Sequence, residues 1–100
     1  MQALITVTLS KSSMEKHVTL FALLNFEYSR QKEILFYTEW DDAISDADYH
    51  EPTDKPDFNY STIIEFELDE TVLEDIRMTD TESLTDLLNA QTTTKKHYFN

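Results

Sequence analysis

The stretch VTLFALLNFEY, residues 18–28, decides the fold, because it is apolar on both faces if it is extended. A strand of that kind belongs in the middle of a sheet, where both of its faces are covered. The alternative is a helix that begins at Ser12, with Glu15 at the spacing of a capping box. We favour the strand; the helix would make a strand–helix–strand unit instead.

Strand-like patterns lie on both sides of this stretch. Residues 3–9 alternate apolar and polar side chains, and EILFYTEW, residues 33–40, is rich in aromatic residues. The intervening SRQK, residues 29–32, predicts a hairpin loop. STIIEFELD, residues 61–69, alternates again, so that Ile64 and Phe66 share one face while Glu65 and Glu67 share the other.

The C-terminal third has helical signals. Thr71 with Glu74, and Thr79 with Glu82, have capping-box spacing, and Leu84, Leu87 and Leu88 form an apolar stripe. Residues 41–60 predict a long connection, and residues 91–100 a flexible tail. We therefore expect a single acidic α+β domain over residues 1–100, with an antiparallel sheet of about four strands and one or two C-terminal helices.

The composition excludes several kinds of site. The chain has no cysteine, which excludes disulfides and thiolate chemistry, and no glycine, which excludes glycine-rich phosphate loops. Without glycine, we expect left-handed backbone positions to fall to Asn or Asp, or to be avoided. We see no signal peptide and no apolar run long enough to cross a bilayer, so we expect a cytoplasmic protein without membrane contact.

Negative charge is concentrated in one part of the chain. The net charge is −12, but residues 39–86 alone have 17 acids and two bases, a net of −15. Residues 1–38 have a net charge of +1, and residues 87–100 of +2. Such a charge repels nucleic acid and anionic membranes and attracts basic protein surfaces. We therefore expect no direct binding of nucleic acid.

Catalytic motifs are missing from the sequence. His17, His50 and His97 are far apart, and acid pairs arise by chance in a chain with 20 acids. Asp46, Asp48 and His50 alternate like the first ligands of a calcium loop, but the glycine such a loop needs is absent. We expect no enzyme activity, no cofactor and no metal, with those three residues as weak metal candidates.

The acidic segment suits a protein that occupies a basic nucleic-acid-binding cleft. B-DNA has 15 negative charges in about 7 to 8 base pairs, which matches the net charge of residues 39–86. Alternate acids on a strand lie about 6.6 to 6.8 Å apart, close to every second phosphate of one DNA strand. The predicted partner-binding residues are Glu39, Asp41, Asp42, Asp46, Asp48, Glu51, Asp54, Asp57, Glu65, Glu67, Asp69, Glu74 and Asp75, with further helix acids filling in the row.

In size, charge and lack of catalytic motifs, the sequence resembles the small acidic inhibitors of phages and mobile elements. The resemblance is one of composition and involves no aligned motif. It implies an inhibitor or DNA mimic of anti-restriction or anti-CRISPR type, acting on a nucleic-acid-binding protein in the cytoplasm of a bacterial host.

A second interpretation is a small interaction or assembly module that is acidic only for solubility. Tyr and Trp are favoured at interface hot spots, and the acidic segment is interspersed with aromatic residues. The candidate anchors are Trp40, Tyr49, Phe58 and Tyr60, with Tyr37 beside them, and such a module would form a homodimer through an aromatic strand edge.

Overall fold

A computed structural model describes residues 17–100, which form five strands and three short helices. In chain order they are β1 (His17–Glu27), β2 (Arg30–Tyr37), α1 (Trp40–Asp46), β3 (Pro52–Thr53), β4 (Tyr60–Asp69), α2 (Glu70–Glu74), α3 (Thr81–Asn89) and β5 (Lys95–Phe99). The strand predicted for residues 3–9 lies outside the described residues.

The strands form one antiparallel sheet in the order β2-β1-β4-β5-β3. The predicted α+β class is confirmed. The details differ, because the sheet has five strands among the described residues and α1 lies between β2 and β3, so the helices are not all C-terminal.

β1 is the strand that the stretch 18–28 predicts, and the helical alternative is wrong. It pairs with β2 on one side and with β4 on the other, and both of its faces are covered. Leu20 and Ala22 are fully buried on one face, and Leu23 and Asn25 on the other. Two-sided burial explains why its apolar residues do not alternate with polar ones.

The turn between β1 and β2 is shorter than predicted and consists of two residues, Tyr28 and Ser29. Both have positive φ, 53° and 63°, so the expectation that Asn or Asp would take such positions is wrong here. Positive φ at both positions matches the twist of the flanking strands, which is why this turn geometry is favoured in hairpins. The amide of Tyr28 donates to Asn59 Oδ1 at 2.9 Å, and that of Ser29 to the carbonyl of Phe58 at 2.7 Å.

The sheet has a hydrophobic cluster on each face. On one face, Leu84 and Leu88 of α3 pack against Leu20 and Phe66. On the opposite side, Ala43 of α1 packs against Leu23 and Ile63. We call these the α3 side and the α1 side of the sheet. Along β4, Ile64, Phe66 and Leu68 belong to the α3 side, as the alternation predicts.

The capping residues of the C-terminal helices differ from the prediction. Asp69 accepts from the amide of Thr71 at the start of α2, and Asp80 accepts from the amide of Ser83 at the start of α3. The capping boxes predicted from Thr71 and Thr79 are therefore wrong, because the carboxylates of Asp69, two residues before Thr71, and of Asp80, one residue after Thr79, cap the helices instead. The amphipathic helix predicted around Leu84 and Leu88 is confirmed.

Two segments predicted to be irregular are ordered. The connection 41–60 contains most of α1 and all of β3, because Trp40, Ala43, Ile44 and Ala47 have helical spacing and pack on the sheet. The tail 91–100 contains β5, whose Phe99 is 6% exposed. Asn100 also exchanges both backbone hydrogen bonds with Glu51, at 2.7 and 3.1 Å. The prediction of a flexible tail is wrong, since apolar burial and strand pairing hold it.

In the part of the chain that the structure describes, no helix is long and apolar enough to cross a membrane.

Candidate functional site

The acids of residues 39–86 line the surface of the domain. Of the 17, 14 are exposed, the half-buried ones are Glu65, Asp69 and Glu70, and none is buried. Across residues 17–100, ion pairs involve only two of them: Asp48 with Lys32 at 3.1 Å, and Glu65 with His97 at 3.6 Å when the histidine is protonated. Most of the negative charge is therefore not neutralised by neighbouring bases within the described residues.

These acids lie on both sides of the sheet. The acids of α1 lie on the α1 side, and so do Glu65, Glu67 and Asp69, which alternate with the α3-side residues of β4. The C-terminal helices α2 and α3 pack on the opposite side, through Leu73, Leu84 and Leu88. The expectation that the acids of these C-terminal helices extend the row on β4 is therefore wrong, because the sheet lies between α3 and that row.

We define the α1-side acidic surface by the acids of α1 and β4 and the residue before α1. Its members are Glu39, Asp41, Asp42, Asp46, Glu65, Glu67 and Asp69. Of the other predicted partner-binding residues, Asp48, Glu51, Asp54 and Asp57 lie in the connection around β3, whereas Glu74 and Asp75 lie at the end of α2. The structure thus brings about half of the predicted residues to one side of the sheet.

Aromatic contacts position α1 over the sheet. The ring of Trp40, its first residue, lies edge-on to Phe21 of β1 with centroids 5.8 Å apart. It also contacts His97 and Phe99 of β5, at 5.0 and 6.2 Å. With Trp40 and Ala43 facing the sheet, helical geometry directs Asp41 and Asp42 away from it.

A buried polar network holds the residues that follow α1. Asn25 and Ser61, on neighbouring strands, are both fully buried. Asn25 Oδ1 accepts from Ser61 Oγ at 2.6 Å and from the amide of Asp48 at 3.1 Å, while Ser61 Oγ accepts from the amide of Tyr49 at 3.1 Å. The network therefore satisfies two backbone amides and fixes the chain after α1 to the sheet.

Asp46 and Asp48 are tied to β2 by their side chains. The hydroxyl of Tyr37 donates to Asp46 Oδ2 at 2.6 Å, and burial together with this carboxylate raises the pKa of Tyr37 above its usual range. Lys32 Nζ donates to Asp48 Oδ2 at 3.1 Å, and this bond raises the pKa of Lys32. Both acids therefore have structural partners, which makes them less available to another protein than Asp41 and Asp42.

Asp69 is also engaged within the chain. Its Oδ1 accepts from the backbone amide and from the hydroxyl of Thr71, at 2.9 and 2.8 Å. These two bonds stabilise the carboxylate and lower the pKa of Asp69. Its first role is to cap α2, although it remains half-exposed on the α1 side.

The three weak metal candidates do not converge. Asp46 bonds to Tyr37, Asp48 to Lys32, and His50 Nε2 lies 2.8 Å from the carbonyl of Ile44. Within residues 17–100, no group of three or more His, Asp or Glu side chains is arranged to hold a metal ion.

The candidate aromatic anchors differ in exposure. Trp40, Tyr49, Tyr60 and Tyr37 are half-buried, and Tyr60 stacks on Phe26 with centroids 4.5 Å apart. Phe58 is 70% exposed, and Tyr28, which the sequence did not single out, is 75% exposed. The amide of Ser29, which follows Tyr28, donates to the carbonyl of Phe58, so Tyr28 and Phe58 lie at the same end of the sheet.

Comparison with protein-family models gave no match, and no match was found among the curated proteins or the solved structures.

Proposed function

We propose that this chain is a non-enzymatic acidic binding protein that occupies the basic nucleic-acid-binding surface of a partner protein. It would act as an inhibitor or DNA mimic of the anti-restriction or anti-CRISPR type, in the cytoplasm of a bacterial host. The observation that carries the proposal is the α1-side acidic surface, where carboxylates from a helix and a strand lie on one side of the sheet.

The charges of this surface support recognition of a basic partner. Glu65 and Glu67 follow the two-residue repeat of a strand, and Asp41 and Asp42 project from the helix beside it. Because a sheet and a packed helix hold these groups, a partner would meet them without the entropy loss of ordering a flexible acidic chain. Opposed charges would also speed the encounter.

The proposal is tested by displacement of DNA. Purified nucleic-acid-binding proteins from bacterial hosts are loaded with a short fluorescein-labelled DNA duplex, and the chain is added at low and high salt. Displacement from at least one host protein, weakening as salt rises from about 0.05 to about 0.3 M, supports the proposal. Absence of displacement from every such protein tested, at low salt and saturating concentration of the chain, contradicts it.

A matched pair of variants assigns the effect to one side of the sheet. The double reversal of Asp41 and Asp42 to Lys and that of Glu82 and Asp86 to Lys change the net charge equally, on opposite sides. We expect the first to abolish displacement and the second to weaken it only slightly. Equal losses would show that net charge alone matters, against a dedicated α1-side surface.

The second candidate function is an interaction or assembly module that uses apolar contacts. The specific observation in its favour is the exposure of Tyr28 and Phe58 at one end of the sheet, because large exposed aromatic side chains are typical of interfaces. Binding of that kind resists salt and is lost on Phe58→Ala. Self-association of this type would appear in sedimentation as a dimer at any salt concentration.

A further inference from the structure

A cleft on the α1 side has the composition of a site for a basic side chain. It measures about 540 Å³ and lies between Trp40, the segment from Pro52 to Asp54, and the segment from His97 to Phe99. Three elements of the fold contribute to it: the start of α1, the short strand β3 and the end of β5.

The residues around the cleft combine aromatic rings with one carboxylate. Trp40 and Phe99 supply the rings, whereas Tyr98 pairs with Thr62 and its ring contacts Tyr60 on the opposite side of the sheet. Asp54 supplies the carboxylate, and no lysine or arginine lies among the lining residues. Within residues 17–100, Asp54 makes no ion pair, and no hydrogen bond involves its carboxylate. An aromatic surface beside an unneutralised carboxylate favours a cation, because the negative face of the ring and the carboxylate attract the same charge.

One wall of the cleft is connected to the acidic residues of β4. The ring of His97 lies 5.0 Å from that of Trp40, and its Nε2 is buried without a hydrogen-bond partner among the described residues. That nitrogen lies 3.6 Å from Glu65 Oε1. Trp40, whose ring contacts that of His97, is followed directly by Asp41 and Asp42. The cleft thus lies among carboxylates that would draw a cation toward it.

We propose that this cleft binds the guanidinium group of an arginine side chain. Arginine fits better than lysine, because its planar group stacks on aromatic rings and forms paired hydrogen bonds with a carboxylate. Asp54 accepts those bonds and Trp40 supplies the aromatic surface. The identity of the protein that presents the arginine rests on the proposed function, whereas the cleft itself can be tested without any partner.

Trp40 is the single tryptophan of the chain, so its fluorescence reports the cleft directly. The probe is N-acetyl-arginine amide, titrated at constant ionic strength, with N-acetyl-citrulline amide as an uncharged compound of the same shape. We expect a saturable change in Trp40 emission with arginine, with a dissociation constant on the order of millimolar, and none with citrulline. The same linear response to both compounds would overturn the proposal.

Two charge-matched variants locate the contact. Asp54→Asn removes the carboxylate of the cleft, and Asp86→Asn removes an exposed one on the far side of the sheet. We expect Asp54→Asn to weaken arginine binding about fivefold and Asp86→Asn to leave it unchanged. Equal weakening by both variants would mean general attraction of cations and would contradict a specific site.

This outcome is independent of the proposed function. If arginine binds the cleft but the chain displaces no DNA, the cleft stands and the proposal of a DNA mimic fails. If DNA is displaced while arginine leaves the emission of Trp40 unchanged, the proposal of an arginine site is contradicted and that of a partner-binding acidic surface is supported.

Discussion

Ser61 Oγ donates a hydrogen bond to Asn25 Oδ1 at 2.6 Å between two fully buried side chains of neighbouring strands. Each side chain also accepts a bond from a backbone amide of the segment that follows α1. These two residues therefore connect the sheet to the chain that bears the first half of the acidic segment.

Replacing Ser61 with alanine is expected to destabilise the protein. The amide of Tyr49 would lose its acceptor and Asn25 would lose a donor, and a buried group left unsatisfied costs about 1 to 3 kcal/mol. Denaturant unfolding measures the loss, and amide exchange of Asp48 and Tyr49 should speed up. Ser45→Ala, at an exposed position of α1, serves as the control. Unchanged exchange at both amides would contradict this role of Ser61.

Substitutions in the turn between β1 and β2 are expected to stabilise the protein. Tyr28 and Ser29 both occupy the left-handed region, which disfavours residues with a Cβ atom. We expect Tyr28→Asn with Ser29→Gly to raise the free energy of unfolding by about 1 kcal/mol. Ser29→Ala, which retains the Cβ atom, should give no gain. A double variant no more stable than the parent would show that the turn is not strained.

The bond between Tyr37 and Asp46 should fix α1 to β2. Tyr37→Phe removes the hydroxyl that donates to the carboxylate, and we expect a loss of about 1 kcal/mol at neutral pH. Because the folded pKa of Tyr37 is raised, its contribution is complete below the unfolded pKa near 10 and declines as pH rises through the folded value. Equal stability of parent and variant at neutral pH would argue against this bond.

Asp69 should make stability depend on pH in the acidic range. Its folded pKa is lowered by the two bonds from Thr71, so its contribution is present above the unfolded pKa near 3.9 and lost as pH falls through the folded value. Asp69→Asn should therefore destabilise at pH near 7 and have less effect at pH near 2. Asp75→Asn, at the end of α2, is the matched control. The prediction fails if the effect of Asp69→Asn is the same at both pH values.

The sequence predicts the central strands well, for a physical reason. The order of apolar residues indicates both the two-sided burial of β1 and the alternation along β4. The pattern of α1 is weaker, because two of the four residues that pack on the sheet, Ala43 and the C-cap Ala47, are small. β5 is missed because it begins with two lysines and gains its order from pairing with β4.

The candidate site is predictable only in part. The concentration of acids between residues 39 and 86 is visible in the sequence, but their division between two sides of the sheet follows from topology. The polar network of Asn25 and Ser61 joins residues 36 positions apart, a distance at which no local pattern indicates contact. The cleft beside Trp40 depends on β5 and is hidden for the same reason.

The most direct test of the central claim compares neutralisation of acids on the two sides. Asp41→Asn with Asp42→Asn is compared with Glu82→Gln and Asp86→Asn, in association with a host protein from which the chain displaces DNA. We expect the α1 variant to associate about tenfold more slowly at low salt and to lose much of its salt dependence, with the α3 variant within about twofold of the parent. Equal slowing by both variants, or no slowing by either, would contradict an acidic surface built on the α1 side.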